Sequence, residues 1–87
     1  MSKTTYMFFS DAGHGWLRVK RAELEALGIA DKISTYSYAR ENWVYLEEDC
    51  DFSCFLAAKG RDNVDVKYRN CKEYSAIRGY DHYSNRK

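Results

Sequence analysis

The sequence contains no proline, only five glycines, and no repetitive, proline-rich or Gly/Ser-rich segment. Long apolar runs are also missing: the run at residues 6–9 is too short for a signal peptide or a membrane-spanning helix. With 45% hydrophobic residues, the composition predicts a globular chain rather than a disordered one. We therefore expect no membrane association and a cytoplasmic location.

The three cysteines, Cys50, Cys54 and Cys71, are an odd number at spacings that fit no familiar disulfide framework. We expect free, buried thiols, which suit a reducing compartment. Cys50 and Cys54 would share a helix face, and with Cys71 or His14 they could form a zinc site. Structural zinc sites usually show tighter pairs such as C-x₂-C, so the favoured interpretation is small hydrophobic side chains packed in the core.

Catalytic motifs are missing: the sequence has no nucleophile motif, no glycine-rich phosphate loop and no spaced acid pair. Asp11, His14 and a cysteine could supply an acid, a base and a nucleophile, but His14 lies between two glycines. It is expected to be an exposed loop residue or one that fixes the turn. The sequence therefore predicts a protein that is not an enzyme and that needs no cofactor.

Aromatic residues are abundant, with eight Tyr, four Phe and two Trp in 87 residues. A chain of this length forms one domain, 1–87, and residues 84–87 are expected to fray. Its core is too small to need every ring. Some tyrosines are therefore expected at the surface, where they serve as contact residues.

Alternation of apolar and polar residues predicts strands at 16–20, 34–40, 43–48 and 64–70, and the continuous apolar run at 6–9 predicts a central strand at 4–10. Helix-forming residues predict a helix at 21–27, and helical spacing of apolar residues predicts one at 52–59. Gly28 is expected to end the first helix in a Schellman stop, with Ile29 packing back on Leu24. Residues 74–83 are expected to add a short edge strand or a turn. The predicted fold class is α+β, a small single domain ordered β-β-α-β-β-α-β, with a mainly antiparallel sheet and two short helices on one face.

Four carboxylates, Glu47, Glu48, Asp49 and Asp51, stand within five residues just before the second helix. Asp49 or Asp51 can cap the helix, and the other acids favour the positive end of its dipole. A Mg²⁺ or Ca²⁺ site is an alternative, although the spaced ligands and the glycine of a calcium loop are missing. A docking patch for a basic partner is the third interpretation.

Charge is uneven along the chain although the net charge is only +1. Residues 1–58 contain six Lys or Arg against nine Asp or Glu, whereas residues 59–87 contain eight against four. This basic, tyrosine-containing third is either a solvated polar end or a surface for nucleic acid or an acidic protein patch. The residues of the nucleic-acid-binding alternative are Lys67, Arg69, Lys72, Arg78, Tyr80 and Tyr83.

Five segments of the sequence are distinctive in combination, namely GHGWLRV at 13–19, LGIADKIS at 27–34, YSY at 36–38, VYLEEDCD at 44–51 and IRGY at 77–80. Together they resemble a family of small proteins encoded by bacteriophages, prophages and plasmids of proteobacteria. The resemblance covers most of the chain. It implies a mobile-element accessory protein, a class that often inhibits host defence and includes anti-CRISPR proteins. It transfers no functional residue to this sequence.

The leading hypothesis is stoichiometric binding that occludes a host protein or ribonucleoprotein in the host cytoplasm. Groups on the open sheet face and in the acidic corner would cover a basic surface of the target. Charge reversal at Glu47 and Glu48 is expected to leave folding nearly intact. The predicted contact residues are Tyr36, Tyr38, Trp43, Tyr45, Glu47, Glu48 and Asp49. A small nucleic-acid-binding module and a phage structural component are the alternatives.

Overall fold

A single β-sheet is the framework of the protein, as seen in a computed structural model that describes residues 3–11, 13–70 and 76–84. In chain order the elements are β1 (Thr4–Ser10), β2 (Gly15–Lys20), α1 (Arg21–Ala26), β3 (Tyr38–Arg40), β4 (Trp43–Glu47), α2 (Phe52–Lys59), β5 (Val64–Asn70) and β6 (Asp81–His82). Short 3₁₀ turns cover Ala30–Lys32, Arg61–Asn63 and Ala76–Gly79.

The order of strands across the sheet is β5-β1-β2-β4-β3-β6, and every neighbouring pair is antiparallel except β1 with β5. The predicted α+β fold with a mainly antiparallel sheet is therefore confirmed. The parallel pair arises because the chain crosses the sheet through α2 before β5 returns beside β1, a connection long enough for a parallel neighbour. β6 supplies the edge strand that was one of two alternatives predicted within 74–83.

Residues 34–37 form a turn, and the strand predicted to begin at Ser34 begins only at Tyr38. The alternation of tyrosine with small residues resembles a strand, but the side chains of Ser34 and Ser37 bind the carboxylate of Asp51 instead. The other boundaries differ less. α1 ends at Ala26 and β4 ends at Glu47, each one residue earlier than predicted.

The stop of α1 is the predicted Schellman motif. Gly28 has a φ of 73° and donates its N–H to the carbonyl of Glu25 at 3.1 Å, while Ile29 donates its N–H to the carbonyl of Leu24 at 3.0 Å. Ile29 and Leu24 are both buried in the core. Because glycine adopts this left-handed conformation without strain, Gly28 sets the direction in which the chain leaves the helix.

Both helices cover one side of the sheet, which we call the helix face. Leu24 of α1 and Phe55 of α2 are fully buried there, and a 2.7 Å salt bridge between Lys59 and Glu23 joins the helices. Within residues 3–11, 13–70 and 76–84, no helix has the length and apolar character needed to cross a bilayer. The sheet side chains buried on the helix face include Tyr6, Phe8, Leu17, Val19, Val44 and Leu46.

The opposite side of the sheet, which we call the aromatic face, carries rings from four strands. Strand alternation sends these side chains away from the helices. The 3₁₀ turn Ala76–Gly79 packs over part of this face through Ile77, and the ring of Tyr80 lies 5.2 Å from that of Tyr45. The face that the sequence predicts to be open is therefore partly covered. Its strand residues are Phe9, Trp16, Tyr38, Trp43 and Tyr45.

Tyr83 anchors the C-terminal segment to the helix face. Its ring is 2% exposed, its N–H donates to the carbonyl of Ser37 at 2.7 Å, and its hydroxyl donates to the carbonyl of Ala30. The guanidinium of Arg21 lies 5.1 Å from the ring centroid and donates to the carbonyl of Ser84 at 3.0 Å. The basic C-terminal third thus contributes to the core, which a solvated polar end would not do.

The carboxylate of Asp51 is the buried polar centre of the fold, with 3% of its surface exposed. It accepts hydrogen bonds from the N–H and Oγ of Ser34, at 3.1 and 2.7 Å, and from Oγ of Ser37 at 2.5 Å. Ser37 Oγ in turn accepts the N–H of Glu47 at 2.9 Å. Asp51 occupies the N-cap position of α2, but its side chain makes no capping hydrogen bond, so the predicted capping role of its carboxylate is wrong.

Replacing Asp51 with alanine should lower the free energy of unfolding by about 2–3 kcal/mol, because the buried donors of Ser34 and Ser37 lose their acceptor. Urea unfolding followed by circular dichroism measures this change. Asp62→Ala removes an exposed carboxylate from the 3₁₀ turn after α2 and is the matched control, with an expected change within about 0.5 kcal/mol. Equal destabilisation by the two variants would contradict the role of Asp51.

Candidate functional site

A cleft of about 290 Å³ opens at the end of the sheet where β2 begins and β4 ends. We call it the sheet-end cleft. Four of the seven predicted contact residues line it, and three residues outside that predicted set complete it. The lining residues are His14, Trp16, Tyr36, Tyr38, Glu47, Asp49 and Cys50. The turn at 34–37, the loop before β2 and the acidic turn after β4 therefore converge on one place.

Tyr36 is the most exposed ring of the sheet-end cleft, with 67% of its surface accessible. It lies in the turn at 34–37, where its N–H donates to Oγ of Ser34 at 3.2 Å. Ser34 is held in turn by the buried carboxylate of Asp51. A large ring presented on a fixed turn suits contact with a partner, because little conformational entropy remains to be lost on binding.

Tyr38 and Trp16 form the aromatic wall of the cleft. Trp16 is only 2% exposed and makes the base, while the half-buried ring of Tyr38 meets it edge-on at 6.1 Å between centroids. Tyr38 also stacks on His82 at 4.9 Å. Nδ1 of His82 lies 2.8 Å from the carbonyl of Thr35, which ties β6 to the turn that carries the exposed tyrosine. The wall is thus built jointly by β2, β3 and β6.

Glu47 holds the acidic turn together. Only 8% of its surface is exposed, and its Oε2 accepts the N–H groups of Asp49 at 2.8 Å and Cys50 at 2.9 Å. Glu48 and Asp49 are exposed, so the turn presents two free-standing carboxylates while the third is structural. Charge reversal at Glu48 is therefore still expected to leave the fold intact. Charge reversal at Glu47 is instead expected to destabilise it.

Trp43 and Tyr45 lie outside the sheet-end cleft. Tyr45 is buried on the aromatic face between Phe9 and Tyr80, with ring centroids at 6.2 and 5.2 Å, and burial raises the pKa of its hydroxyl. It is a core residue, and its predicted place in a contact surface is wrong. Trp43 stands at the far end of β4, where the guanidinium of Arg18 lies 4.4 Å from its ring centroid.

The residues predicted to bind nucleic acid do not form one surface. Lys67 and Arg69 are exposed on β5 and point to the side of the aromatic face. Tyr80 is half-buried there, whereas Tyr83 is buried against the helix face, so its predicted role in stacking on a base is wrong. Two positions of the predicted set lie outside what the structure describes, namely Lys72 and the side chain of Arg78.

His14 enters the cleft from a tight loop that Asp11 organises. Oδ1 of Asp11 accepts the N–H groups of Gly13 and His14 at 3.1 Å each, and the N–H of Asp11 donates to the carbonyl of His14 at 2.9 Å. His14 is exposed, as predicted, but it is absent from the predicted contact set. The sequence signal that could have identified His14 is the two-glycine turn just before β2, since such a turn lies beside the end of the neighbouring strand.

Cys50 is exposed, contrary to the predicted buried thiols, and Cys54 is half-buried on α2. Cys50 precedes the helix, so the two do not share a helix face, and Cys71 lies outside the described residues. Partial desolvation, a hydrogen bond to Glu47 and nearby carboxylate charges raise the pKa of the Cys50 thiol, which opposes thiolate chemistry. Among described side chains, no group of three or more His, Cys, Asp or Glu is arranged to hold a metal ion.

Glu47→Ala should destabilise the protein by about 1–3 kcal/mol, because the buried N–H groups of Asp49 and Cys50 lose their acceptor. Glu48→Ala, one residue further on and exposed, is the matched control and should change stability by less than about 0.5 kcal/mol. Thermal and urea unfolding of both variants measure the difference. Indistinguishable unfolding midpoints would show that Glu47 does not hold the turn.

Alkylation of Cys50 by iodoacetamide should be slow at neutral pH and should accelerate only above the range of an ordinary thiol, because its raised pKa keeps it protonated. Peptide mass spectrometry across a pH series follows Cys50 separately from the other cysteines. Asp49→Lys should move the midpoint of the curve of Cys50 alkylation rate against pH to lower pH, since it replaces a nearby negative charge with a positive one. A Cys50 midpoint at or below that of a free thiol would contradict this environment.

Comparisons with protein-family models, with curated proteins and with solved structures find no match for this chain. The resemblance to proteins of phages, prophages and plasmids therefore stays a prediction. The surfaces described above are the basis for a functional proposal, and the sheet-end cleft brings aromatic rings and carboxylates together.

Proposed function

We propose that this protein is a small binding protein that occludes a basic surface of a host protein or ribonucleoprotein. The observation that carries the proposal is the sheet-end cleft, in which three aromatic residues stand beside carboxylates at one end of the sheet. The exposed carboxylate of Glu48 follows Glu47 in the same acidic turn and extends the negative charge beyond the cleft. Such a surface favours recognition of positive charge.

The chemistry of the cleft fits an arginine or lysine side chain of the partner. A cation gains from the faces of tyrosine and tryptophan, and a guanidinium or ammonium group also hydrogen-bonds to carboxylates. Tyr36 and Tyr38 offer the rings, and Asp49 offers an exposed carboxylate beside them. Exposed carboxylates at the rim would speed encounter, and the rings would supply most of the affinity.

The cleft is held in place by hydrogen bonds that a partner does not need to replace. Glu47 binds the backbone of the acidic turn, and Asp51 binds the turn that carries Tyr36. Asp11 does the same for the loop that carries His14. Since these groups hold the backbone before a partner arrives, the ordering cost of binding is small.

Recognition suits the cleft better than catalysis does. The raised pKa of Cys50 leaves its thiol protonated, and the carboxylate of Asp11 bonds to loop amides rather than orienting the imidazole of His14. A nucleophile and its base need mutual hydrogen bonding, with a third group that orients the base.

As the class of target we propose a bacterial defence complex, which is what the resemblance to mobile-element proteins implies.

The double variant Glu48→Lys/Asp49→Lys should lose binding to the partner while keeping its fold, because both side chains are exposed. Tagged wild-type protein, this variant and the control Asp62→Lys are used to capture partners from host lysate, and affinity for the recovered partner is then measured by titration. We expect at least a roughly tenfold loss for the double variant and little change for the control.

Tyr36→Ala tests the aromatic part of the same surface and should also weaken binding, since it removes the most exposed ring of the sheet-end cleft. Tyr68, the other strongly exposed tyrosine among the described residues, projects from β5 on the side of the helix face, and Tyr68→Ala is its matched control. Circular dichroism confirms folding of each variant. Equal binding by wild type and the cleft variants would place the contact surface elsewhere.

A further inference from the structure

The aromatic face carries a second surface, away from the sheet-end cleft, on which positive charge predominates. Strand pairing directs five cationic side chains to this side of the sheet and, among exposed described carboxylates of its strands, only that of Asp65. We call this surface the basic face. Its cationic residues are Arg18 and Lys20 on β2, Arg40 on β3, and Lys67 and Arg69 on β5.

Three of these cations lie against aromatic rings. The guanidinium of Arg18 lies 4.4 Å from the ring centroid of Trp43 and 5.5 Å from that of Phe9. The ammonium group of Lys20 lies 5.7 Å from the same tryptophan, and the guanidinium of Arg40 lies 5.1 Å from the ring of Tyr80. Aromatic rings and cationic groups therefore lie side by side on this face of the sheet.

The positive charge of the basic face is not neutralised within the described part of the chain. The salt bridge that the described residues form joins Lys59 to Glu23 on the helix face, and no described carboxylate pairs with Arg18, Lys20 or Lys67. Open clefts flank Trp43 on two sides. One contains Arg18 and Lys20 together with Glu23, whose carboxylate is already paired with Lys59, and the other contains Lys20 and Arg21 together with Glu25. Unpaired cations beside open space suit an anionic partner.

We propose that the basic face binds single-stranded nucleic acid. Lys20, Lys67 and Arg69 would contact phosphates, and a base would stack against the layer formed by Trp43 and Arg18. Non-specific binders of single strands combine these two elements, a positively charged track and rings on which bases stack. A duplex keeps its bases stacked on one another, so a flat sheet with rings favours the single strand. This site goes beyond the proposed function, since it shares no residue with the sheet-end cleft.

The strand spacing of the sheet is compatible with such a track. Neighbouring strands lie about 4.8 Å apart, so Lys67 on β5 and Arg18 on β2, which are separated by β1, stand roughly 10 Å apart across the face. A backbone that crosses the strands would meet a cation at each side of β1. The next strand is β4, on which Trp43 lies opposite Lys20, so its ring stands diagonally beyond Arg18.

Fluorescence gives a direct readout of stacking, because Trp16 is almost fully buried and Trp43 is the accessible tryptophan. Titration with a short oligothymidylate or oligouridylate at low salt should quench the emission of the wild-type protein. The quenching should vanish in Trp43→Phe, which keeps a ring for stacking. Binding measured by anisotropy of a labelled oligonucleotide should weaken roughly tenfold in Trp43→Ala. Comparison of the two oligonucleotides distinguishes DNA from RNA as the preferred strand.

The double variant Lys20→Gln/Lys67→Gln tests the charge, because both side chains are exposed and their loss should spare the fold. The logarithm of affinity should fall with the logarithm of salt by about 0.7 per phosphate contacted, and this slope should flatten in the double variant. Lys32→Gln, on the 3₁₀ turn after α1, is the charge control, and Tyr36→Ala is the control for the cleft. Both should bind the oligonucleotide as the wild type does.

Three results would overturn the proposal. The first is that the protein binds neither oligonucleotide at low salt. The second is that the lysine double variant and Lys32→Gln bind the oligonucleotide equally well. The third is that heparin binds as tightly as the oligonucleotide and that the emission of Trp43 does not change. The last result would make the basic face a general polyanion surface without base stacking. Because Tyr36→Ala affects the cleft alone, loss of partner binding with retained oligonucleotide binding would separate this site from the proposed function.

Discussion

The buried carboxylate of Asp51 is the interaction on which the arrangement of the whole molecule depends. By accepting hydrogen bonds from Ser34 and Ser37 it fixes the turn before β3, and through Ser37 it reaches the backbone of Glu47 at the end of β4. It also stands at the start of α2. The turn before β3, the end of β4 and the start of α2 are therefore linked through Asp51 and Ser37, and the helix face, the cleft and the edge of the sheet keep fixed positions relative to one another.

The sheet separates opposite charges although the net charge of the chain is close to zero. Acidic side chains gather in the turn after β4, next to the sheet-end cleft, while Arg18, Lys20 and Lys67 occupy the opposite side of the sheet from the helices. Alternation along the strands places the cations on one face, whereas the acidic turn lies beyond the end of β4, so the two charges are separated along the strand direction. A protein of this kind can orient itself in the field of a larger charged partner before any contact forms.

Local patterns in the sequence predict most of the fold. The alternation in β2 and β5 and the Schellman stop at Gly28 depend on residues a few positions apart, and the structure has each of them where the pattern indicates. The predictions that failed depend on distant partners. Residues 34–37 have the alternation of a strand, but the acceptor that Asp51 supplies holds them in a turn. Glu47 has the sequence context of a surface carboxylate, but its side chain accepts hydrogen bonds from the backbone of its own turn. Tyr45 is likewise buried by Tyr80, far along the chain.

The anchoring of Tyr83 affects how the protein is made. Its ring completes a core whose other members lie between Tyr6 and Val66, and its backbone N–H donates to the carbonyl of Ser37. β5, which pairs with β1, also arrives late in synthesis. Until β5 and Tyr83 have been synthesised, the earlier strands therefore keep part of their apolar surface exposed, and a nascent chain at that stage is open to proteases and chaperones.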